Sequence, residues 1–391
     1  MVHASLKLRL HTIQQQRIAT HSLRQHRTIY QRQGVDIQLE NGHCVDFSSN
    51  DYLGLSQHPE VINAACETMH AFGIGARSAH LVSGHYAVHE TLAQSLADWL
   101  GYEQGLVFGS GYMANLSIQQ ALLNQSSDAC IHDRLNHASL IDASRLAHCR
   151  IARYRHADSA AAERLLQRFH GNTTMLITDG VFSMDGDTAP LHQLSMAARK
   201  YDALLCVDDA HGIGVVGPDG KGSAAAAGLC MSDVPLLLVT LGKAFGTYGA
   251  VVLGSKALIT HLMQCARPYI YTTALPPAIA SASQVSFEIL CNQPRWRERL
   301  HRNIHFFQTA AQQRGIPIIS STSAIQGVLC TDNLSALTLA QNLESAGYFV
   351  RAMRPPTVPK GTTRLRVTLS ALHTTNQING LLDAFLRYLK Q

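Results

Sequence analysis

The sequence predicts an α/β protein, a large doubly wound and mostly parallel sheet followed by a smaller α+β domain. Two observations carry that expectation. Between Pro59 and about residue 285, short apolar runs alternate with helical patterns of about 10–15 residues, the rhythm of strand–helix–strand units. The runs are also continuous rather than alternating: residues 105–108 (GLVF), 129–132 (ACIH), 174–178 (TMLIT), 204–207 (LLCV), 236–239 (LLLV) and 250–253 (AVVL). A strand apolar on both sides is covered on both faces, which is the environment of a parallel sheet between helix layers.

Taken in order, the chain begins with a helical segment. Residues 35–39 (VDIQL), 40–43 (ENGH) and 44–47 (CVDF) then read as a hairpin about the Asn41–Gly42 turn, closed by a loop at 48–50. Beyond Pro294 come a long helix to about Arg314, a strand at 326–330 (QGVLC), a helix from Ser335 to Ala346, a strand at 364–369 (RLRVTL) and a last helix. Three regions follow: 1–50, helix and hairpin; 51–290, the large α/β domain; 291–391, the small α+β domain. No internal repeat or low-complexity tract interrupts them.

With 391 residues the chain is long enough for two or three domains, and only 15% of it is charged against about 25% for an average soluble protein. A surface poor in charge predicts cover by another subunit, hence a homo-oligomer. The +5 net charge is spread along the chain, whereas a nucleic-acid protein gathers its excess. The 21 His raise the net charge further below about pH 6.5. Nine Cys without a C-x-x-C pair argue against a disulfide framework or a zinc module and fit a reducing cytoplasm. No apolar run approaches the roughly 18 residues of a membrane span. The first acid is Asp36, after Lys7, Arg9, Arg17, Arg24, Arg27 and Arg32, so a transit peptide competes with a mature N-terminal helix; the apolar core of a secretory signal is missing.

Several signatures are excluded. Gly242-Lys243-Ala244 lacks the rest of a P-loop, and no G-x-S-x-G occurs. His85 and His89 have helical i, i+4 spacing, but no Glu follows the first as in zinc proteases, so they are expected to pack or cap and no metal is expected.

What remains is polar residues at the carboxyl ends of strands, where open α/β sheets hold ligands. Gly109-Ser110-Gly111-Tyr112 joins a strand to a helix, and amides at a helix start can meet a phosphate, although an ordinary tight turn explains the glycines equally well. Asp208-Asp209-Ala210-His211 follows a buried run, where a carboxylate needs a cation or hydrogen bonds. Thr240-Leu241-Gly242-Lys243 sets a lysine at the same edge, either an amine nucleophile or a snorkelling surface lysine. An amine, a carboxylate and an anion seat together meet the needs of pyridoxal 5'-phosphate, namely aldehyde, pyridinium nitrogen and phosphate.

The chain resembles the α-oxoamine synthases, pyridoxal-phosphate transferases of fold type I. The resemblance rests on residues 50–55 (NDYLGL), 110–115 (SGYMAN), 137–140 (HASL), 180–187 (GVFSMDGD), 207–212 (VDDAHG), 240–243 (TLGK) and 354–359 (RPPTVP), and extends from about residue 20 to the C-terminus, which argues against the transit peptide. It implies that Lys243 forms the Schiff base with the cofactor, that Asp208 pairs with the pyridinium nitrogen and that His137 stacks on the ring. Ser183 and His211 would lie near the phenolic oxygen, and Thr240 with the Gly111 and Tyr112 amides would bind phosphate. Arg366 would grip the amino-acid carboxylate, a task suited to a bidentate fork. Arg24, expected on the N-terminal helix, and Arg354 would meet the far carboxylate of a dicarboxylic acyl group, with Thr357 as a further hydrogen-bond donor. The active site would lie between the subunits of a homodimer, with Thr272 or Thr273 reaching the neighbour's phosphate.

The implied reaction joins L-alanine to a pimeloyl thioester of coenzyme A or acyl carrier protein in biotin synthesis. The nearest alternative is a sister activity using glycine and acetyl-CoA; a non-catalytic cofactor-binding subunit would lack the lysine that Lys243 supplies. One departure stands out: after Gly75, where relatives are rich in Gly and Ser, this chain reads ARSAH, and Arg77 could reshape the acyl channel or reach coenzyme A phosphates.

Overall fold

The computed structural model describes residues 3–389. The chain packs as two compact units, one of residues 50–183 and 187–298, the other of the segment up to Ser49, residues 184–186 and the chain from Arg299 onward.

The first unit is built on a seven-stranded sheet whose strands lie in the order Gln104–Phe108, Ala250–Gly254, Leu236–Thr240, Leu204–Asp208, Thr174–Asp179, Ala129–Asp133 and Arg150–Tyr154. The last five are mutually parallel; Ala250–Gly254 runs antiparallel to both neighbours. All six apolar runs are strands, each buried along most of its length. The seventh strand was not apparent because Arg150, Ile151 and Arg153 are exposed; it forms the sheet edge, where charge discourages further pairing. Leu106, Phe108, Met175, Ile177, Cys206, Leu238 and Val252 pack with Ile118 and Leu140 of the covering helices into one core cluster.

Parallel strands end on the same edge, and theirs ends in Asp133, Asp179, Asp208 and Thr240. Register sets Asp179 directly beside Asp208. Two helices begin at this edge. Ser110 caps Gly111–Leu122 by accepting from the Met113 amide at 3.3 Å, and His137 precedes Ala138–Leu146 with its ring accepting from the Ser139 amide.

The second unit holds two small sheets. In one, Gln31–Gln33, Asp36–Leu39 and Gly42–Asp46 are antiparallel and Tyr348–Phe349 joins parallel to the third; in the other, Arg364–Thr368 lies between Ile325–Leu329 and Arg351–Met353. Leu39 pairs with Gly42, so the hairpin loop is Glu40–Asn41 rather than Asn41–Gly42; Gly42, at φ +135°, opens the returning strand. The N-terminal helix spans Ala4–Ala19 and ends as Thr20 Oγ1 donates back to the Gln16 carbonyl and His21 turns to φ +50°. Arg24 therefore stands in the irregular segment 22–30 and not on the helix. Among the described residues no helix is long and apolar enough to cross a membrane.

Candidate active site

Lys243, half-buried, sits in the turn after Leu236–Thr240. The turn is clasped from within: the Gly246 amide donates to the Lys243 carbonyl at 2.9 Å, and the Thr247 amide and Oγ1 donate to the Leu241 carbonyl at 2.9 and 3.1 Å. Gly246 lies at φ +67°, and a Cβ there would fall 2.3 Å from the Ser56 amide nitrogen, so only glycine lets the turn close. Thr240, buried, donates its hydroxyl to the Gly249 carbonyl at 3.1 Å.

Asp208 is buried at the end of its strand, and both oxygens are held: Oδ1 accepts from the Ala210 amide at 3.1 Å and Oδ2 from Asn115 Nδ2 at 2.7 Å. The second Nδ2 hydrogen of Asn115 goes to Ser139 Oγ at 2.8 Å, which lies 2.7 Å from His137 Nδ1. Since Nδ1 accepts from the Ser139 amide as well, a neutral His137 carries its proton on Nε2. Desolvation pushes the His137 pKa down, the Asp208 carboxylate opposes that shift and Lys243 adds to it. Lys243, Asp208 and His137 thus share one electrostatic neighbourhood.

Asp179 accepts from the His137 amide through Oδ2 at 2.6 Å, and burial beside Asp208 raises its pKa strongly. Asp209 points the other way: it accepts from the Ser223 amide at 2.7 Å, is packed against Gly180, Gly212 and Gly222, and is pushed up to about 7 by burial. His211 is buried with Nδ1 2.6 Å from Tyr52 Oη. Ser183 is half-buried in the loop after Thr174–Asp179. His156 supports that loop's far end, with Nδ1 3.1 Å from Asp133 and Nε2 2.8 Å from Asp187; although burial opposes it, the two carboxylates push its pKa up to about 9. In the helix starting at Gly111, helix geometry leaves the Gly111 and Tyr112 amides without intrahelical partners. The Tyr112 side chain is exposed and donates to Asp142 Oδ2 at 2.7 Å.

In the second unit a pocket of about 400 Å³ is lined by Arg24, Arg351, Arg354 and Thr357. Arg24 Nη2 donates to Thr357 Oγ1 at 3.0 Å, whereas Arg354 donates to the carbonyls of His21 and Leu23. Arg366 is buried in its strand and donates to Thr368 Oγ1 at 3.1 Å. Arg77 is exposed and folds back onto the helix Pro59–Phe72, donating to the Phe72 carbonyl at 3.3 Å. Thr272 and Thr273 lie in the loop before the helix Pro277–Asn292.

His80, His85 and His89 gather ring nitrogens within 4.8 Å of one another. His89 uses both of its own, accepting from the Tyr86 amide at 3.0 Å and donating to the Leu275 carbonyl at 2.8 Å. It is a capping side chain with no lone pair left for an ion.

Asn115, Ser139, Asp179 and Tyr52 were not assigned roles from sequence. Asp179 ends an apolar run as Asp208 does, and that shared placement was the available signal.

An open sheet with a lysine, a hydrogen-bonded carboxylate and a helix start along its carboxyl edge is the arrangement of fold type I pyridoxal-phosphate enzymes. The chain belongs to the aminotransferase class I and II family, whose profile matches residues 42–385. It is 50% identical to 8-amino-7-oxononanoate synthase of Xylella fastidiosa strain M12 over 387 residues, 99% of this chain and 96% of that protein. The enzyme of the same name from Xanthomonas campestris pv. campestris strain B100 is 49% identical with the same coverage. Among solved structures, serine palmitoyltransferase from S. paucimobilis with bound PLP and myriocin superposes with a TM-score of 0.93 at 28% identity, covering 100% of this chain and 99% of that one. An 8-amino-7-oxononanoate synthase from Francisella tularensis gives 0.77 at 30% identity, covering 89% and 98%.

The residues present fit pyridoxal 5'-phosphate. Asp208 is buried with two N–H donors already fixing its oxygens, so its charge is oriented ahead of any cation it meets. A pyridinium N–H is such a cation, and Lys243, an amine suited to the cofactor's aldehyde, is on the same edge of the sheet.

Proposed function

We propose that this enzyme condenses L-alanine with a pimeloyl thioester, in biotin synthesis, to give 8-amino-7-oxononanoate. A carbon–carbon bond forms between the alanine α-carbon and the acyl carbonyl carbon. The bonds from that carbonyl to sulfur and from the α-carbon to the carboxylate break, releasing the thiolate of coenzyme A or acyl carrier protein and carbon dioxide; a proton returns to the α-carbon after decarboxylation, and the thiolate takes one from water.

Pyridoxal 5'-phosphate supplies an aldehyde that captures amines and a ring that accepts the electron pair of a bond breaking at the α-carbon. Lys243 is the amine for that aldehyde and the base that takes the α-proton. Asp208 keeps the ring nitrogen protonated, and Asn115 and the Ala210 amide hold its carboxylate in place. His137 would cover the ring, Ser183 and His211 would serve the phenolic oxygen, and Thr240 with the Gly111 and Tyr112 amides would hold the phosphate. Arg366 binds the carboxylate of alanine.

The observation that carries the choice of acyl group is the arginine pocket. A dicarboxylic chain brings a charge remote from its thioester, and a pocket with Arg24 hydrogen-bonded to Thr357 and no acid in its lining suits it. A cytoplasmic homodimer is in keeping with the absence of C-x-x-C pairs and with the exposure of Ile74 (81%), Val82 (78%) and Tyr271 (71%) in this chain by itself.

The test is mass spectrometry of products from alanine and glycine, each offered with pimeloyl and acetyl thioesters. Alanine with pimeloyl thioester should give the dominant product; faster turnover of glycine with acetyl thioester would replace this reading with the sister activity.

A further inference from the structure

The pocket of Arg24, Arg354 and Thr357 contains a third guanidinium that no sequence pattern singled out. Arg351 opens the short strand Arg351–Met353, lines the same space of about 400 Å³, and stands opposite Arg366 in the sheet. No Asp or Glu lines the pocket. The acid closest in charge to Arg351 is Glu344, and Glu344 is already ion-paired with Arg27.

The three arginines are not equally committed. Arg354 spends Nη1 and Nη2 on the carbonyls of His21 and Leu23 and so fastens the segment after the N-terminal helix. Arg24 gives one bond to Thr357. Among the described residues the Arg351 side chain has one acceptor, the Gln25 carbonyl at a long 3.4 Å, and rests its guanidinium 5.7 Å from the centre of the Phe349 ring. A guanidinium carries five N–H donors, so most of this fork remains to be used. Burial and the neighbouring Arg27 lower the Arg351 pKa, with Glu344 opposing them; burial, Arg351 and Arg24 lower that of Arg354. Glu344 faces Arg351 and Arg354 from the neighbouring space and not from this pocket, so like charges meet here with no acid in the lining, and an anion relieves them.

We propose that Arg351, together with Arg24, binds the terminal carboxylate of the dicarboxylic acyl chain, while Arg354 is a positioning residue that holds the segment at residues 21–23. The assignment rests on the proposed acyl substrate and adds to it a specificity-determining residue. It also divides the work of the pocket: Arg351 acts on the choice of acyl group, and Arg354 acts through the chain it fastens.

The experiment compares kcat/KM for pimeloyl and octanoyl thioesters of the same carrier, nearly equal in length and differing in the terminal charge. The holoenzyme should prefer pimeloyl. R351Q should lower the pimeloyl-to-octanoyl ratio about tenfold, the loss expected for one charge-assisted contact, and R351K should lower it less because it keeps the charge and loses the fork. Retention of bound cofactor and an unchanged Tm show that the variants are folded, and if R351Q does not fold, R351K gives the ratio. An unchanged ratio overturns the proposal, and so does an equal fall on both substrates, which would put Arg351 on the carrier. A holoenzyme without preference for pimeloyl would instead overturn the substrate reading, whatever the variants do.

Discussion

Asn115 Nδ2 donates to Asp208 Oδ2 at 2.7 Å, and through its second hydrogen and Ser139 Oγ the same amide reaches His137. One buried side chain therefore fixes two groups of the site, a strand-end carboxylate and the imidazole across the edge of the sheet. Neither can turn without breaking a hydrogen bond inside the protein.

Asn115→Ala removes both donors and leaves a buried carboxylate short of one partner. A loss of about 1–3 kcal/mol in stability is expected, with weaker cofactor retention and a lower kcat. Thermal unfolding and cofactor titration measure the two effects, and Asn115→Gln, which keeps the amide one methylene out of place, should recover stability before kcat.

Asp208 and Asp209 are adjacent in sequence and opposite in orientation. Asp208→Asn should cost several kcal/mol in the barrier, about a hundredfold or more in kcat/KM, whereas Asp209→Asn keeps an acceptor for the Ser223 amide and should cost about tenfold or less. Steady-state kinetics on the two variants decide this, and greater damage from Asp209→Asn would reverse the assignment.

His156 gives a pH-dependent prediction. Its pKa is raised from 6.5 to about 9 in the folded protein, so the folded state holds the proton more tightly than the unfolded one. The resulting stability is complete below about pH 6.5 and is lost as pH rises through 9. His156→Gln should therefore destabilise by about 1–3 kcal/mol at pH 6, after allowance for partial exposure, and by less at pH 10. Urea unfolding of both proteins at the two pH values checks the narrowing gap.

Gly246→Ala forces a side chain into φ +67° and onto the Ser56 amide. Strain and displacement together should cost more than about 1–2 kcal/mol and move the Lys243 turn. The Tm and kcat of this variant should both fall; an unchanged kcat would show that the turn tolerates another path.

Much of the fold could be read in the sequence because a parallel sheet between helix layers leaves continuous apolar runs. What was missed has specific causes. The strand Arg150–Tyr154 carries exposed arginines because it is an edge. The Glu40–Asn41 loop lies one residue early because Gly42 belongs to the strand. The helix stops at Ala19 through a hydroxyl-to-carbonyl bond that no spacing rule announces. In the site, Asp208 at a strand end and Lys243 in the turn just past one stood out by position. Asn115 did not, because its role is a contact across 93 residues of chain. Arg351 falls in a strand of three residues with no pattern around it.

The central claim is that Lys243, at the carboxyl edge of the sheet beside Asp208, is the amine that takes the cofactor's aldehyde. Borohydride reduction of the holoenzyme followed by peptide mass spectrometry tests it most directly. The account predicts the phosphopyridoxyl mass on the peptide containing Lys243 and its loss in Lys243→Ala; the same mass on another lysine of the unmodified sequence would contradict it.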